Sequence, residues 1–439
     1  MEWYSILVFI IVGILVFFAS GIPVAFSFGL LNIIGLYFFC GGLPALSIVG
    51  FSAVSGIANF VLVAIPMFVL MGDAITFSGM ANRAFNVIDK LLGRMPARIA
   101  VLTVLNAMLF GAVSGSSMAC TAVIGKTMIP EMLKRGYNKI LATGAVLGGA
   151  ALDILIPPSI IAVVYASIAN VSVGKLLIAG IMPGIMIGGM FILYLIIRVK
   201  IQPELAPPES DVPAAKVSTG EKIRSTVHIL PLFFIFFLVM GLIYLGIATA
   251  SEAAALGAGG AFLLAGLMGD LKWANVKESL TGTVRVSCMI FLIIMGSKAF
   301  GQLLAYTGIA TQVADAVANL PVSRWWILIA IQLLVVFLGC IMDPTSIIFI
   351  TVPIFTPIIT LLKFDPLWFA IMMMINLELG CITPPFGLNL YVAKAIVPKD
   401  ISMMDIFISV WPFALMHLMG IVIVMLFPDF FLWLPNMIN

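Results

Sequence analysis

The 439-residue chain predicts an all-α integral membrane protein of two inverted-topology repeats, each with a re-entrant hairpin and a broken helix. Three observations lead there. Hydrophobic residues make up 63% of the chain and charged residues 9%, where soluble domains carry about a quarter charged residues. With a mean hydropathy of +1.23, such a chain is solvated by lipid. Polar helix breakers stand deep inside its apolar stretches, and those breakers recur at a nearly constant offset.

A spanning helix needs about 20 apolar residues. The apolar stretches place crossings at 3–20, 23–40, 51–72, 139–170 (interrupted), 175–197, 228–247, 251–268, 284–304, 368–396 (interrupted) and 405–434. The first run follows Glu2, lacks a basic leader and is too long for a signal peptide, so it reads as a retained crossing. The stretch 200–226, rich in Pro, Glu, Ser and Lys, reads as a linker near the chain midpoint. Two stretches are not simple spans. In 98–132 an apolar arm reaches "SGSS" and a second arm follows. The first arm, Arg98 to Val113, is about 24 Å long at 1.5 Å per residue. That is short of a ~30 Å hydrocarbon core, so a re-entrant hairpin fits better. The same layout recurs in 324–362 with "DPTS" at the tip.

Laying one half on the other pairs Ser116 with Pro344, Pro130 with Pro357, Pro157-Pro158 with Pro384-Pro385, Pro183 with Pro412, and Gly79 with Gly308, all offset by 227–229 residues. Residues 1–199 then form a first repeat, 200–226 the linker and 227–439 a second repeat. Each repeat has an odd number of crossings, so the second inserts upside down, an architecture of secondary transporters. With the N-terminus outside, one face receives Arg83, Lys90, Arg94, Arg98, Lys134, Arg135, Lys139, Arg198, Lys200, the linker cations, Lys272, Lys277, Arg285, Lys394 and Lys399. The other keeps Lys175, Arg324, Lys363 and Lys298. The positive-inside rule makes the linker cytoplasmic and both termini external.

Bare backbone cannot face lipid, so non-helical tips must be buried in protein or line a cavity. "SGSS" (114–117), "IPPS" (156–159), "DPTS" (343–346) and "TPPFG" (383–387) are four such tips. Half-helix N-termini offer positive dipole ends to an anion, while hydroxyls, unwound carbonyls and a carboxylate offer hard oxygen ligands to Na⁺. The bland alternative for each tip is a local cap or a proline kink. Asp343 is harder to treat that way, because an intramembrane carboxylate is expensive and marks function. Glu378 reads equally as a cation ligand or a structural hydrogen-bonding group, and Asp153 as a ligand or a capped polar group. Lys298 reads as snorkelling to the nearer face.

Other chemistries lack residues. A net charge of +3 gives no reason to expect nucleic acid, and both histidines, His228 and His417, stand alone, with no zinc-ligand cluster. The five cysteines (Cys40, Cys120, Cys288, Cys340, Cys381) have no CxxC spacing and read as core thiols. An intramembrane hydrolase would need HExxH or a Ser/His pairing, and neither is present. A passive channel fits poorly with two closed hairpins opening from opposite sides.

With those residues in hand, the chain resembles the large membrane subunit of tripartite ATP-independent periplasmic (TRAP) transporters. The carrying stretches are "LVAIPMFVLMGD", "FGAVSGSSMACTAVIGKTMIPEMLKRGY", "ILIPPSIIAVVYASIANVSVGKLLIAGIMPG", "MDPTSIIFITVPIFTPI" and "LELGCITPPFGLNLYVAKAI", spread over about 62–397. The resemblance implies a sodium-coupled elevator that imports an organic acid across a bacterial inner membrane. It implies two partners, a small four-helix membrane subunit on a separate chain and a periplasmic substrate-binding protein. It implies Na⁺ ligation by Ser114, Gly115, Ser116 and Ser117 with the break Pro157–Ser159. In the second half the ligands would be Asp343, Pro344 and Thr345 with the break Thr383, Pro384 and Gly387. Substrate contact would fall to Ser116, Ser159, Thr345 and Thr383. Asp153 departs from the small residue usual before the first Pro-Pro break, which opens the cation count and the substrate preference to change. A Na⁺/dicarboxylate symporter of similar architecture, working without a binding protein, is the competing expectation.

Overall fold

The computed structural model describes residues 3–92, 95–207, 227 and 229–437. Most of the expected linker (208–226), Arg94 and His228 lie outside the described residues. All regular structure among the described residues is helical. Seven helical stretches are long and apolar enough to cross a membrane: Phe60–Phe77, Val173–Ile201, Ala250–Leu267, Trp273–Tyr306, Arg324–Ile341, Pro344–Leu361 and Met403–Leu426. The exterior is apolar, with Phe51 81%, Leu267 75% and Trp273 76% exposed. Water would penalise such a surface and lipid does not, so the chain is a multi-pass membrane protein.

The first half runs α1 (Trp3–Ala19), α2 (Val24–Phe39), α3 (Ser47–Ile57), α4 (Ala64–Phe77), α5 (Met80–Leu92), α6 (Arg98–Ser114), α7 (Ser117–Lys134), α8 (Lys139–Ala150), α9 (Ile160–Ala169), α10 (Val173–Ala179) and α11 (Ile181–Ile201). The second runs α12 (Leu230–Tyr244), α13 (Ala250–Leu267), α14 (Trp273–Tyr306), α15 (Ile309–Ala318), α16 (Arg324–Ile341), α17 (Pro344–Leu361), α18 (Pro366–Ile382), α19 (Leu388–Ile396), α20 (Met403–Leu426) and α21 (Pro428–Asn436).

Three expectations need correction. Phe427 divides the crossing expected over 405–434 into α20 and α21. The crossing expected over 51–72 is not continuous: α3 ends at Ile57 and α4 starts at Ala64, with a 3-10 turn over Phe60–Val63 between them. Asn59 causes the break, its side chain accepting the Val61 N–H at 3.0 Å and so offering the backbone an alternative to the helix. The hydroxyl of Ser251, on α13, donates to the carbonyls of Phe60 (2.9 Å) and Val61 (3.3 Å) and satisfies what the break exposes. The cysteines are not all core thiols either. Cys120, Cys340 and Cys381 are buried, but Cys40 is half-buried and Cys288 is exposed on the apolar exterior.

Two sets of helices pack densely and touch one another through α4 against α6 and α9 and through Ser297 Oγ of α14, which donates to the Phe349 carbonyl of α17 at 3.1 Å. In one, α4 lies against α13, whose Ala253, Ala254, Gly257, Ala258 and Ala261 form a buried small-residue face that permits close approach. The long α14, about 51 Å at 1.5 Å per residue, packs on α2 and α3, and Asn32 Nδ2 donates to the Gly296 carbonyl at 2.7 Å. The other group gathers α6, α7, α8, α9 and α16–α20. There α6 and α7 fold back on one another, with Cys120 Sγ donating to the Ala107 carbonyl at 3.3 Å and the Tyr137 hydroxyl accepting the Ile99 N–H at 3.2 Å. Likewise α16 and α17 return to a common end, where Arg324 Nη1 donates to the Leu362 carbonyl at 3.4 Å.

Candidate functional site

The interruptions in the second packing group carry the polar chemistry. At the first tip, Ser114 closes α6 and Gly115 takes φ +62°, the left-handed cap that favours glycine. Ser116 then opens α7, its Oγ accepting the Ala119 N–H at 3.3 Å. Ser117 is buried, and the Oγ of Ser114 is buried with no hydrogen-bond partner among the described residues. A Cβ at Gly115 would lie 2.9 Å from Ile160 Cδ1, so this tip abuts the start of α9.

That start is the far side of the first broken helix. Residues 151–158 leave the helical path after α8, the Pro157–Pro158 bond is cis, and Ser159 caps α9 by accepting the Ala162 N–H at 3.2 Å. The first tip and the Pro157–Ser159 break are therefore neighbours. His417 Nε2 lies 3.0 Å from the Ala151 carbonyl and Nδ1 3.1 Å from the Phe413 carbonyl, which ties α20 to the break.

At the second tip Asp343 is the N-cap of α17 and Pro344 its first residue. Asp343 Oδ2 accepts the Ser346 N–H at 3.0 Å, and the Ser346 hydroxyl donates to Oδ1. Both carboxylate oxygens are thus engaged locally, and Thr345 is half-buried. The second broken helix interrupts at 383–387. Thr383 Oγ1 donates to the Leu379 carbonyl at 2.5 Å, Pro384–Pro385 is cis, and the Gly387 N–H donates to the Thr383 carbonyl at 3.2 Å. A Cβ at Gly387 would lie 2.6 Å from the Cys381 carbonyl oxygen, so no other residue fits that turn without movement. The backbones of Gly339, near the end of α16, and Gly380, near the end of α18, meet directly, so this break lies beside the arm that leads to the second tip.

Among the described residues, Ser116, Ser159 and Thr383 each bond within their own helix, and no hydrogen bond joins them to one another or to Thr345. Asp153 and Glu378, from different halves, are both at most 1% exposed, and the break meets α18, where Ile154 and Leu155 line one small cavity with Ile371 and with Met374, one turn before Glu378. Sequence reasoning passed over Thr121 and Asn389, both fully buried, with no partner for Thr121 Oγ1 or for either polar atom of the Asn389 side chain. A polar residue inside an apolar helix was the available signal. A cavity of ≈590 Å³, lined in part by Asn59, Asn170, Lys175 and Ser251, lies beside the break between α3 and α4 rather than at the tips.

Chemically, the site offers hydroxyls, free carbonyls and carboxylates, all hard oxygen donors, at the ends of half-helices. No three of His, Cys, Asp and Glu gather into a metal centre among the described residues. The donor set therefore suits a hard, small cation over a soft transition metal, and the orphaned Ser114 Oγ is a donor in need of a partner.

The family model for "Tripartite ATP-independent periplasmic transporter, DctM component" matches residues 11–430. The C4-dicarboxylate TRAP transporter large permease protein of Rhodobacter capsulatus is 32% identical, covering 98% of this chain and 99% of that protein. The ectoine TRAP transporter large permease protein of Halomonas elongata is 30% identical, covering 99% of each. Among solved structures, the Alcanivorax borkumensis YdaH transporter matches with a TM-score of 0.62 at 15% identity, over 89% of this chain and 90% of that one. That last likeness concerns the fold alone.

Proposed function

Because the chain belongs to the DctM-component family of tripartite ATP-independent periplasmic transporters, we propose that it is the large permease of a sodium-coupled importer of an organic acid anion. The observation that carries the sodium reading is the pairing of the first tip with the first break. There an orphaned hydroxyl, a glycine turn and two serine-capped helix N-termini meet. Coupling would come from sodium held by the oxygens of Ser114–Ser117 and Pro157–Ser159, and in the second half by Asp343–Thr345 and Thr383–Gly387. The part played by the chain's own residues is to end helices at mid-membrane, keep their carbonyls and N–H groups from lipid, and aim dipole ends at an anion.

The inverted repeat is part of this reading. Helix bounds agree with it, α7 and α17 starting at Ser117 and Pro344 and α8 and α18 at Lys139 and Pro366. Gly79 and Gly308 take matching φ values of +68° and +69° before α5 and α15. For orientation, the ion pairs Arg83–Asp270 and Lys139–Asp405 join the halves at two cations, Arg83 and Lys139, that the positive-inside rule assigns to one face. The two packing groups supply a scaffold and a moving body for an elevator, with α6–α9 and α16–α20 travelling together. Named relatives carry C4-dicarboxylate or ectoine, so a small organic acid is the substrate class. A small membrane subunit and a periplasmic binding protein complete the transporter, with both termini periplasmic.

Uptake into liposomes decides the matter. With the small subunit present and an inward sodium gradient, substrate should accumulate only when the binding protein is added. Undiminished transport without that protein favours the self-sufficient dicarboxylate symporter, and uptake indifferent to sodium refutes the coupling.

A further inference from the structure

One carboxyl pair is left over by the tip chemistry. Asp153 lies in the first break and Glu378 on α18, 1% and 0% exposed, where Ile154 and Leu155 of the break line one small cavity with Met374, one turn before Glu378. Asp153 Oδ1 and both oxygens of Glu378 accept no hydrogen bond of normal geometry from any described donor. No lysine or arginine answers them: the ion pairs among the described residues join Arg83–Asp270, Arg98–Asp89, Arg135–Glu131 and Lys139–Asp405. Two carboxylates buried at one junction and out of water cannot both carry charge unless a positive charge sits with them.

Their surroundings say which kind. Cys120 Sγ reaches the Ala107 carbonyl one turn before Gly111, which meets Asp153, and this buried face of α7 carries Ser117. Thr121 follows one turn later on the same face of α7, is fully buried, and has a hydroxyl with no partner. A shared proton would occupy only the two facing oxygens and leave the others and the Thr121 hydroxyl bare. A hard cation engages several oxygens at once. The first half is also built to admit the carboxyl. In the second half the backbones of Gly339 and Gly380 meet directly, whereas in the first Gly111 takes the place of Gly339 and meets the Cβ of Asp153, which stands where Gly380 does.

We infer that Asp153, Glu378 and the hydroxyls of Ser117 and Thr121 hold a monovalent cation of the sodium class, one helical turn inside the first tip and across the junction of the two broken helices. This rests on the sodium reading above and adds an ion to it. The test is equilibrium binding of radioactive sodium to the full-length chain in lipid nanodiscs, read as ions bound per chain. Asp153→Asn and Glu378→Gln should each bind one ion fewer than the parent, while the remaining sites keep their affinity within about twofold, as expected for independent sites. Asp153→Gly, which copies the second half, provides a third variant should either of the others fail to elute as a monodisperse species. Unchanged stoichiometry in all folded variants overturns the inference and leaves the tip sites standing. Proton release on sodium addition that disappears in the variants while stoichiometry stays constant also overturns it, in favour of a proton pair. Absence of saturable sodium binding to the parent defeats the underlying sodium reading instead.

Discussion

Replacing Asp343 by Asn separates the charge of the second tip from its shape. The carboxylate accepts the Ser346 N–H at 3.0 Å and the Ser346 hydroxyl on its other oxygen. Asn keeps an oxygen for the N–H and caps helices about as well as Asp, so the loss of stability should stay below about 1 kcal/mol. What vanishes is a unit of negative charge. At an effective dielectric near 20, a charge about 4 Å from a cation is worth about 4 kcal/mol. Asp343 is only half-buried, and solvent screening brings the useful share to about 1–2 kcal/mol. That predicts a sodium half-saturation for uptake raised roughly five- to thirtyfold, since about 1.4 kcal/mol is a factor of ten. Asp343→Ala removes cap and charge together, so it should also lower the melting temperature, by the equivalent of about 0.5–2 kcal/mol. The assay is sodium-dependent uptake in proteoliposomes beside thermal unfolding in detergent. A half-saturation for Asn within twofold of the parent, with destabilisation confined to Ala, would show that Asp343 only shapes the tip and would refute the reasoning.

Three further outcomes follow from geometry. Gly387→Ala drives a Cβ to 2.6 Å from the Cys381 carbonyl oxygen and 3.0 Å from the Thr383 nitrogen; overpacking of this kind costs about 1–3 kcal/mol, and uptake should fall sharply at reduced but measurable expression. Asn59→Ala removes the side-chain acceptor at the break between α3 and α4 and should cost about 1 kcal/mol, read as a lower melting temperature, whereas Asn59→Asp should keep most of it. Asp405→Asn discharges the 2.8 Å bond to Lys139 while keeping an acceptor for the Ser402 cap; the partly exposed pair is worth at most about 1 kcal/mol, and the difference in melting temperature from the parent should shrink as salt rises.

Much of the fold was legible because a membrane leaves the backbone few options. "SGSS", "DPTS" and the two Pro-Pro-containing runs are residues that cap or stop helices; α6, α16 and α18 end beside them, while α8 already ends at Ala150, six residues before "IPPS". Hydropathy could not see the break after Ile57, since Asn59 is one polar residue in an apolar run and the change of path depends on its single bond to Val61. It also missed that Phe427 divides the expected crossing 405–434 into α20 and α21. The proximity of Asp153 to Glu378 was illegible for another reason. Each read as an isolated polar group, and only packing of α18 beside the first break brings them to one junction. Asp343 was readable as a cap from the Asp-Pro order, but not that Ser346 would engage both of its oxygens.

The bond from Ser251 to the carbonyls of Phe60 and Val61 spans 190 residues of sequence. Its consequence concerns the order in which the chain is made. While the first half leaves the ribosome and enters the bilayer, the carbonyls at its broken crossing have no partner of their own, and they must wait for α13 to be synthesised and inserted. Asn32 waits in the same way for Gly296, Lys139 for Asp405 and Ala151 for His417. Neither half is a finished object before the other arrives. A chain cut within 208–226 should therefore reassemble from co-expressed pieces, whereas the first piece made alone should be cleared by membrane quality control.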